Sequence, residues 1–259
     1  MTQNALYILD DSPWFEWTEL EATDSTNNFL KDYRPASPKT FTLVTAEYQQ
    51  HGRGQVGNHW ESERGKNLLF SLKVCPTGLE ANRQFVLSQL MAVAIAETLD
   101  EYTDGISIKW PNDIYLGHRK IAGILIENTI MGHQLESSIL GVGLNVNQQT
   151  FCSDAPNPIS LLQATGQTNE RRFLLAGIIK RFINAYQQLT PTHGTDIAQR
   201  YRQRLYRKEG YHTYADATGT FQAVLADIEP TGHLVLADRN GLRRRYAFKE
   251  VCFVPDPQD

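Results

Sequence analysis

The amino-acid sequence predicts an α+β fold, a mixed β-sheet domain flanked by helices and followed by a small C-terminal β-barrel, on three observations. Short apolar runs bounded by Gly, Pro, Asn and Asp recur as far as Asn147, the pattern expected of strands. Two longer segments carry apolar residues at helical spacing. Beyond Glu209-Gly210 only short strand-like runs and turn pairs remain.

In chain order, "FEWTEL", "FTLVTA", "NLLFSLKV", "ISIKW", "KIAGILIE" and "SSILGVGLNV" predict at least six strands. "STNNFLKDY" predicts a short helix with Ser25 or Thr26 as its N-cap. Asn82 to Tyr102 places Phe85, Val86, Leu90, Val93 and Leu99 on a helix, and a loop rich in Pro and Asn runs from Asn147 through Pro158. Asn169 to Leu189 repeats Phe173, Leu174, Ile178, Phe182, Tyr186 and Leu189 on one helical face, and a further helix is expected over Asp196 to Arg207. The C-terminal runs "FQAVLADIE", "HLVLAD" and "RRYAFKEVCFV" alternate with turns at Thr218-Gly219, Thr231-Gly232 and Asn240-Gly241, as a five- or six-strand barrel would. The expected division is therefore 1–208 and 209–259.

Composition narrows the function. Of 259 residues, 41% are hydrophobic and 21% charged, enough for a real core. The net charge of −4 gives no global positive field for nucleic acid or anionic membrane. Cys75, Cys152 and Cys252 are far apart and form no C-x-x-C pair, which fits a reducing compartment. The N-terminus has no basic segment leading into a long apolar one, and no run approaches membrane-spanning length; a cytoplasmic location is expected. The seven histidines form no H-E-x-x-H or comparable metal set.

Within "HGRGQVGNHWES", Gly52-x-Gly54-x-x-Gly57 has the spacing of a dinucleotide-binding turn. That turn requires a helix directly afterwards, because the pyrophosphate rests on the helix N-terminus. The residues after Gly57, "NHWESERGKN", are instead polar and without helical period, and no G-x-x-x-x-G-K-[ST] occurs. On glycine spacing alone this is a surface loop. Its content points further: glycines admit an anion to backbone N–H groups, Arg53 adds a bidentate charge and Trp60 an aromatic face. Those features suit a phosphorylated ligand with a flat ring.

"KWPNDIYLGHRKIAGILIEN" concentrates Lys109, Asn112, Asp113, Arg119, Lys120 and Glu127 on a strand, a Pro-Asn-Asp turn and a second strand. Read alone, it is an ordinary hairpin with solvated charges. Against that reading stands Gly123 inside an apolar strand, since an interior glycine weakens a strand unless something must come close. Gly141 and Gly143 likewise leave one face of "GVGLNVN" bare before Asn145.

"DSTN" (Asp24 to Asn27), "AEYQQHGRGQVGNHWES" (Ala46 to Ser62), "KWPNDIYLGHRKIAGILIE" and "GVGLNVN", in this order and spacing, resemble the biotin protein ligases, and the likeness runs from about Trp14 through the C-terminal β module. The resemblance implies a biotin/ATP-binding catalytic domain with an SH3-like C-terminal β-barrel, and a reaction in two steps. Biotin's carboxylate attacks the α-phosphate of ATP to give biotinyl-5′-AMP and pyrophosphate; a lysine of a biotin carboxyl carrier protein, or of such a domain in a biotin-dependent carboxylase, then takes the biotinyl group. It implies that Lys120, Asp113 and Arg53 are catalytic, Lys120 contacting the biotin carboxylate and the reacting phosphate. It places Ser25, Thr26, Gln49, Gly52 and Arg53 around biotin, with Gly123, Gly141 and Gly143 leaving room for its rings and tail. Gln55, Asn58, Trp60, Asn112, Lys120 and Asn145 fall at ATP, Trp60 stacking on adenine. Mg2+ is expected to be held mainly by the ATP phosphates, and Asp113 to act through magnesium or the incoming lysine.

Two departures stand out. Many family members carry basic residues where this sequence has Gln55 and Asn58, positions that touch or shield the adenylate, so faster leakage of the intermediate is expected here. Some relatives also carry an N-terminal helix-turn-helix domain; the few residues before "FEWTELEATDSTN" match the short form without it, and with a net acidic charge DNA binding is not expected. A monomer or homodimer fits. The competing readings are a lipoate protein ligase-like acyl-adenylating enzyme and a non-catalytic biotin sensor. "RYRQRLYRK" reads as a solvated basic helix end or a docking patch for an acidic carrier, and Arg243, Arg244 and Arg245 as outward charges on a β edge.

Overall fold

The computed structural model describes residues 12–55, 58–152, 157–189 and 194–255. Two sheets organise them. The first joins β1 (Phe15–Leu20), β2 (Phe41–Ala46), β3 (Leu68–Val74), β4 (Ile106–Lys109), β5 (Asp113–Leu116), β6 (Arg119–Met131) and β7 (Gln134–Leu144) in the order β1-β2-β3-β7-β6-β5-β4. β1 and β2 are parallel and the other pairs antiparallel, so the sheet is mixed. β2 and β3 are almost wholly buried, which is why their sequences read as continuous apolar runs.

α1 (Thr26–Asp32) begins at Ser25, which has extended N-cap geometry but makes no side-chain cap bond. Its hydroxyl is therefore not spent on the helix. α2 (Phe85–Leu99) is buried on nearly all sides, as expected of a helix apolar all round. After it come a short α3 (Leu161–Thr165), opened by a Ser160–Gln163 capping box, then α4 (Arg171–Gln187) and α5 (Gly194–Gln203). On α4 the buried face is Leu174, Leu175, Ile178, Ile179, Phe182 and Ile183; Phe173, expected there, is exposed.

Two expectations about the end of α5 need correction. The helix predicted to reach Arg207 stops at Gln203, because Arg204 to Tyr206 instead covers the edge of β4: the Ile108 N–H donates to Arg204 O at 2.7 Å and the Tyr206 N–H to Ile108 O at 2.8 Å. The basic run is also not a solvated patch. Arg200 grips Glu97 with two bonds of 2.8 Å, Arg202 pairs with Asp227 at 2.5 Å and Arg204 with Asp100 at 2.6 Å. These pairs tie α5 and its exit to α2 and to the second sheet.

That second sheet is antiparallel: β8 (His212–Asp216), β9 (Gly219–Ile228), β10 (Leu234–Asp238), β11 (Arg243–Tyr246) and β12 (Cys252–Phe253), in the order β11-β10-β9-β8-β12. The described pairings leave β11 and β12 as its ends. On end strand β11, Arg244 is not simply outward: it lies over the Phe221 ring and reaches Asp216 at 3.3 Å. Tyr214, Leu234 and Leu236 of this sheet, with Val251 just before β12, join the same apolar core as α2 and the first sheet. Trp110 crosses between them, its indole N–H donating to Gly232 O at 2.9 Å. Among the described residues no helix is long and apolar enough to cross a membrane. Cys75, Cys152 and Cys252 are free thiols.

Candidate active site

The cavity with the most chemistry lies on the face of the first sheet where β6 and β7 run past the start of α1. Its floor is strand backbone at Gly123, Gly141 and Gly143, and its walls include Ser25, Thr26, Gln49, Arg53, Trp60, Asn112, Asp113 and Lys120. Residues more than a hundred positions apart meet here because β6 and β7 pair through Gly123–Gly143 and Leu125–Gly141.

One wall is a polar chain. Gln49 Oε1 accepts from the Thr26 backbone N–H at 2.8 Å and from the Thr26 hydroxyl at 3.0 Å. The Ser71 hydroxyl, wholly buried, lies 2.7 Å from Thr26 Oγ1 and 2.6 Å from Asn27 Oδ1. Asn27 Nδ2 donates to Glu127 Oε2 at 2.8 Å. Glu127 then gathers Lys31 Nζ at 2.7 Å and both Arg53 terminal nitrogens at 2.9 and 3.1 Å. Burial alone would raise the Glu127 pKa, but the bonds from Lys31, Asn27 and Arg53 outweigh it and hold the carboxyl below its usual range.

The glycine segment folds as a tight hairpin. The Trp60 N–H donates to Gly52 O at 2.8 Å and the Gly54 N–H to Asn58 O at 3.0 Å, while Arg53 bridges His59. A Cβ at Gly52 would sit 2.5 Å from Trp60 O, so glycine is required for the two arms to approach. The Gly54 N–H, a candidate anion donor by sequence, is spent inside the hairpin. Gly57, the third glycine of the spacing, lies outside the described residues. Arg53 NH1 also donates to Asn28 Oδ1 at 2.7 Å, so its guanidinium anchors the hairpin to α1 and β6.

The opposite wall carries the charge pair. Lys120 Nζ lies 2.7 Å from Asp113 Oδ1, with both side chains about a quarter exposed. A β-bulge between Ile114 and Tyr115 sets this up: Asp113 faces Gly123 while Lys120 faces Tyr115, so the lysine chain folds back along the glycine. Asn112 and Ile124 exchange bonds, the Ile124 N–H donating to Asn112 O at 3.0 Å and the Asn112 side chain to Ile124 O. The preceding Trp110-Pro111 peptide is cis, and Tyr201 donates to Pro111 O at 3.0 Å. Next to this turn, burial pushes the Lys109 ammonium pKa down, and its Nζ lies 2.9 Å from the Tyr115 hydroxyl, itself raised by burial to about 12.

The strand glycines are filled from within the chain. A Cβ at Gly141 would meet the Asn27 amide, one at Gly143 the Trp60 indole, and one at Gly123 both Trp60 and Lys120. Lys120 Nζ stands 5.7 Å from the Trp60 ring centroid. Two buried polar atoms here have no hydrogen-bond partner among the described residues, Trp60 Nε1 and Asn145 Oδ1.

Of the residues expected at the site, the cavity wall brings together all but Gly52 and Asn145. Gly52 supports the hairpin from behind. Asn145 is buried beside it, its amide donating to Ile159 O at 3.2 Å. Three residues of the site carry no role in the sequence reading. Asn27 stands inside "DSTN", and Ser71 is a lone polar residue in the apolar run "NLLFSLKV". Glu127 reads only as one of a hairpin's charges; its signal is a carboxylate closing an apolar strand. Among the described residues no three His, Cys, Asp or Glu side chains could hold a metal ion.

Residues 19–145 match the biotin/lipoate A/B protein ligase family. The bifunctional ligase/repressor BirA of Bacillus subtilis (strain 168) is 32% identical over 214 residues, 80% of this chain and 64% of that protein. The chain spans between half and two thirds of the length of the BirA proteins it matches. The biotin--[acetyl-CoA-carboxylase] ligase of Paracoccus denitrificans is 27% identical over 241 residues, 90% of this chain and 99% of that protein. Among solved structures, the biotin protein ligase from Aquifex aeolicus in complex with biotin and ATP aligns over 93% of this chain and 99% of its own, with a TM-score of 0.75 at 22% identity; this is a likeness of fold.

Proposed function

Because the chain belongs to the biotin/lipoate A/B protein ligase family through residues 19–145, we propose that it is an ATP-dependent biotin protein ligase. In the first half-reaction a biotin carboxylate oxygen bonds to the α-phosphorus of ATP and pyrophosphate departs. In the second, a carrier lysine amine attacks the activated carbonyl, AMP departs, and the amine loses a proton as the amide forms. The carrier is proposed to be a biotin carboxyl carrier protein or domain.

The observation that carries this reading is the Lys120–Asp113 pair at 2.7 Å, set against glycine backbone in the same cavity as Thr26 and Gln49. Two anions must approach each other for adenylation, and a fixed ammonium at their meeting point offsets their repulsion. Lys120 supplies that charge and Asp113 orients it. Ser25, whose hydroxyl makes no cap bond, joins Thr26 and Gln49 as partners for the ureido ring, a set that rejects acids lacking such a ring. Arg53 acts through Glu127 and Asn28 to hold the hairpin, while Gln55, Asn58 and Trp60 close over the adenylate and exclude water. Asn112 shapes the turn, and the Asn145 oxygen, without a hydrogen-bond partner among the described residues, suits an amino donor on the nucleotide.

Asp113 is the carboxylate on the cavity wall and is already paired, which fits a magnesium ion carried in by phosphates rather than caged by protein. Bound there, the ion would neutralise phosphate charge. Residues 209–259 are proposed as a small C-terminal β domain that shares the core of the first sheet and whose Gly232 supports the Trp110-Pro111 turn from outside the cavity.

The test of transfer is to incubate the protein with biotin, MgATP and a purified carrier domain and to locate the adduct by peptide mass spectrometry. The expected result is one biotinylated lysine on the carrier, dependent on ATP. An unmodified carrier alongside a competent control ligase contradicts the proposal.

A further inference from the structure

A second buried polar cluster, outside the cavity, is not used by the chemistry above. Gln148 is 2% exposed, yet all four hydrogen-bonding positions of its amide are engaged. Its Oε1 accepts from Asn67 Nδ2 at 2.5 Å and from the Glu63 backbone N–H at 3.0 Å. Its Nε2 donates to Thr150 O at 2.9 Å and to Glu61 Oε1 at 3.3 Å. Glu61 Oε1 also accepts the Cys152 N–H at 2.9 Å, and Asn67 Oδ1 accepts the Val146 N–H at 3.0 Å. The backbone adds the Asn147 N–H to Lys66 O at 2.8 Å.

Apart from the bond to Thr150, every one of these bonds crosses between the same two stretches of chain. One leaves the glycine hairpin directly after Trp60, and the other leaves β7 directly after Asn145. Apolar side chains would hold two such stretches together without fixing their register. A buried amide with all its partners in place does fix it, because any slip leaves donors and acceptors unpaired.

We propose that Gln148 is a positioning residue for nucleotide binding. It clamps the exit of the hairpin to the exit of β7, so that Trp60 and Asn145 stand at a set separation before ATP arrives. The inference rests on the ligase reading only in taking Trp60 and Asn145 as nucleotide contacts.

The test measures binding of a non-hydrolysable ATP analogue with magnesium and biotin by calorimetry, on the full chain and on Gln148→Leu, with biotin binding and pyrophosphate exchange in parallel. Leucine keeps the bulk and removes all four bonds, so analogue affinity falls about tenfold or more while biotin affinity alone stays within about twofold. Gln148→Glu places a second carboxylate against Glu61 and weakens analogue binding further. Adding Glu61→Gln removes the clash of carboxylates but leaves the Thr150 carbonyl without its donor, so affinity recovers about threefold or more over Gln148→Glu alone without reaching that of the unmodified chain. Unchanged analogue affinity in Gln148→Leu overturns the clamp. So does an equal loss for biotin and analogue with no rescue by the double exchange, which marks a general packing defect. Analogue binding without biotin-dependent exchange in the unmodified chain contradicts the ligase reading alone.

Discussion

The indole of Trp60 occupies the space that a side chain at Gly143 would take: a Cβ built there would lie 2.2 Å from Trp60 Cε2. The glycine in β7 and the tryptophan closing the hairpin are therefore two halves of one fit. Gly143→Ala must expel the ring, and overpacking of this kind costs about 1–3 kcal/mol. The expected outcome is a rise of about tenfold or more in KM for both biotin and ATP in pyrophosphate exchange, with a fall of several degrees in melting temperature. Unaltered KM values contradict the fit.

Glu127 holds the hairpin's Arg53 to α1, and its carboxyl sits below the usual range despite burial. A depressed folded-state pKa contributes stability that is fully present above the ordinary value near 4.5 and is lost as pH falls through the folded value. Thermal melts should therefore separate Glu127→Gln from the unmodified chain at pH 7 and bring them together as the pH drops below 4.5. A gap independent of pH would show that the charge plays no part.

Gln55 lies on the cavity wall, where an arginine would add a cation beside the proposed position of the adenylate. Gln55→Arg is expected to slow release of biotinyl-AMP, read by trapping the released intermediate after a single turnover. Equal release rates remove the idea that neutral residues here loosen retention.

Gly232 has φ of +90°, its carbonyl takes the Trp110 indole N–H, and a Cβ there would sit 2.7 Å from Phe85 Cδ2. Gly232→Ala combines backbone strain with a clash, together about 2–4 kcal/mol. The expected outcome is a clear fall in melting temperature, with a smaller loss of exchange activity because the Trp110-Pro111-Asn112 turn loses its outer support. A melt unchanged from the parent contradicts this.

Strand and helix positions are legible because each carries its own period, and the motifs place most of the cavity wall. The hidden part depends on pairing between distant residues. Ser71 looks like a flaw in an apolar strand until β7 brings Gly141 opposite it and Asn27 drops into the gap. Arg53 advertises an anion site, yet its guanidinium is bonded to Glu127, 74 positions away. The arginines from Arg200 onward read as a solvated run because their partners, Glu97, Asp100 and Asp227, belong to other elements. The helix there ends early for a tertiary reason, the open edge of β4, which no local propensity reports.

The ligase reading meets its most direct test in magnesium-dependent exchange of pyrophosphate into ATP by the purified chain, with biotin, with lipoate and with no acid, and with Lys120→Ala alongside. The expected result is exchange with biotin only and a loss of about a hundredfold or more in the variant, the scale of removing one preorganised charge from a transition state. Exchange supported by lipoate instead, or undiminished biotin-dependent exchange in Lys120→Ala, would contradict it.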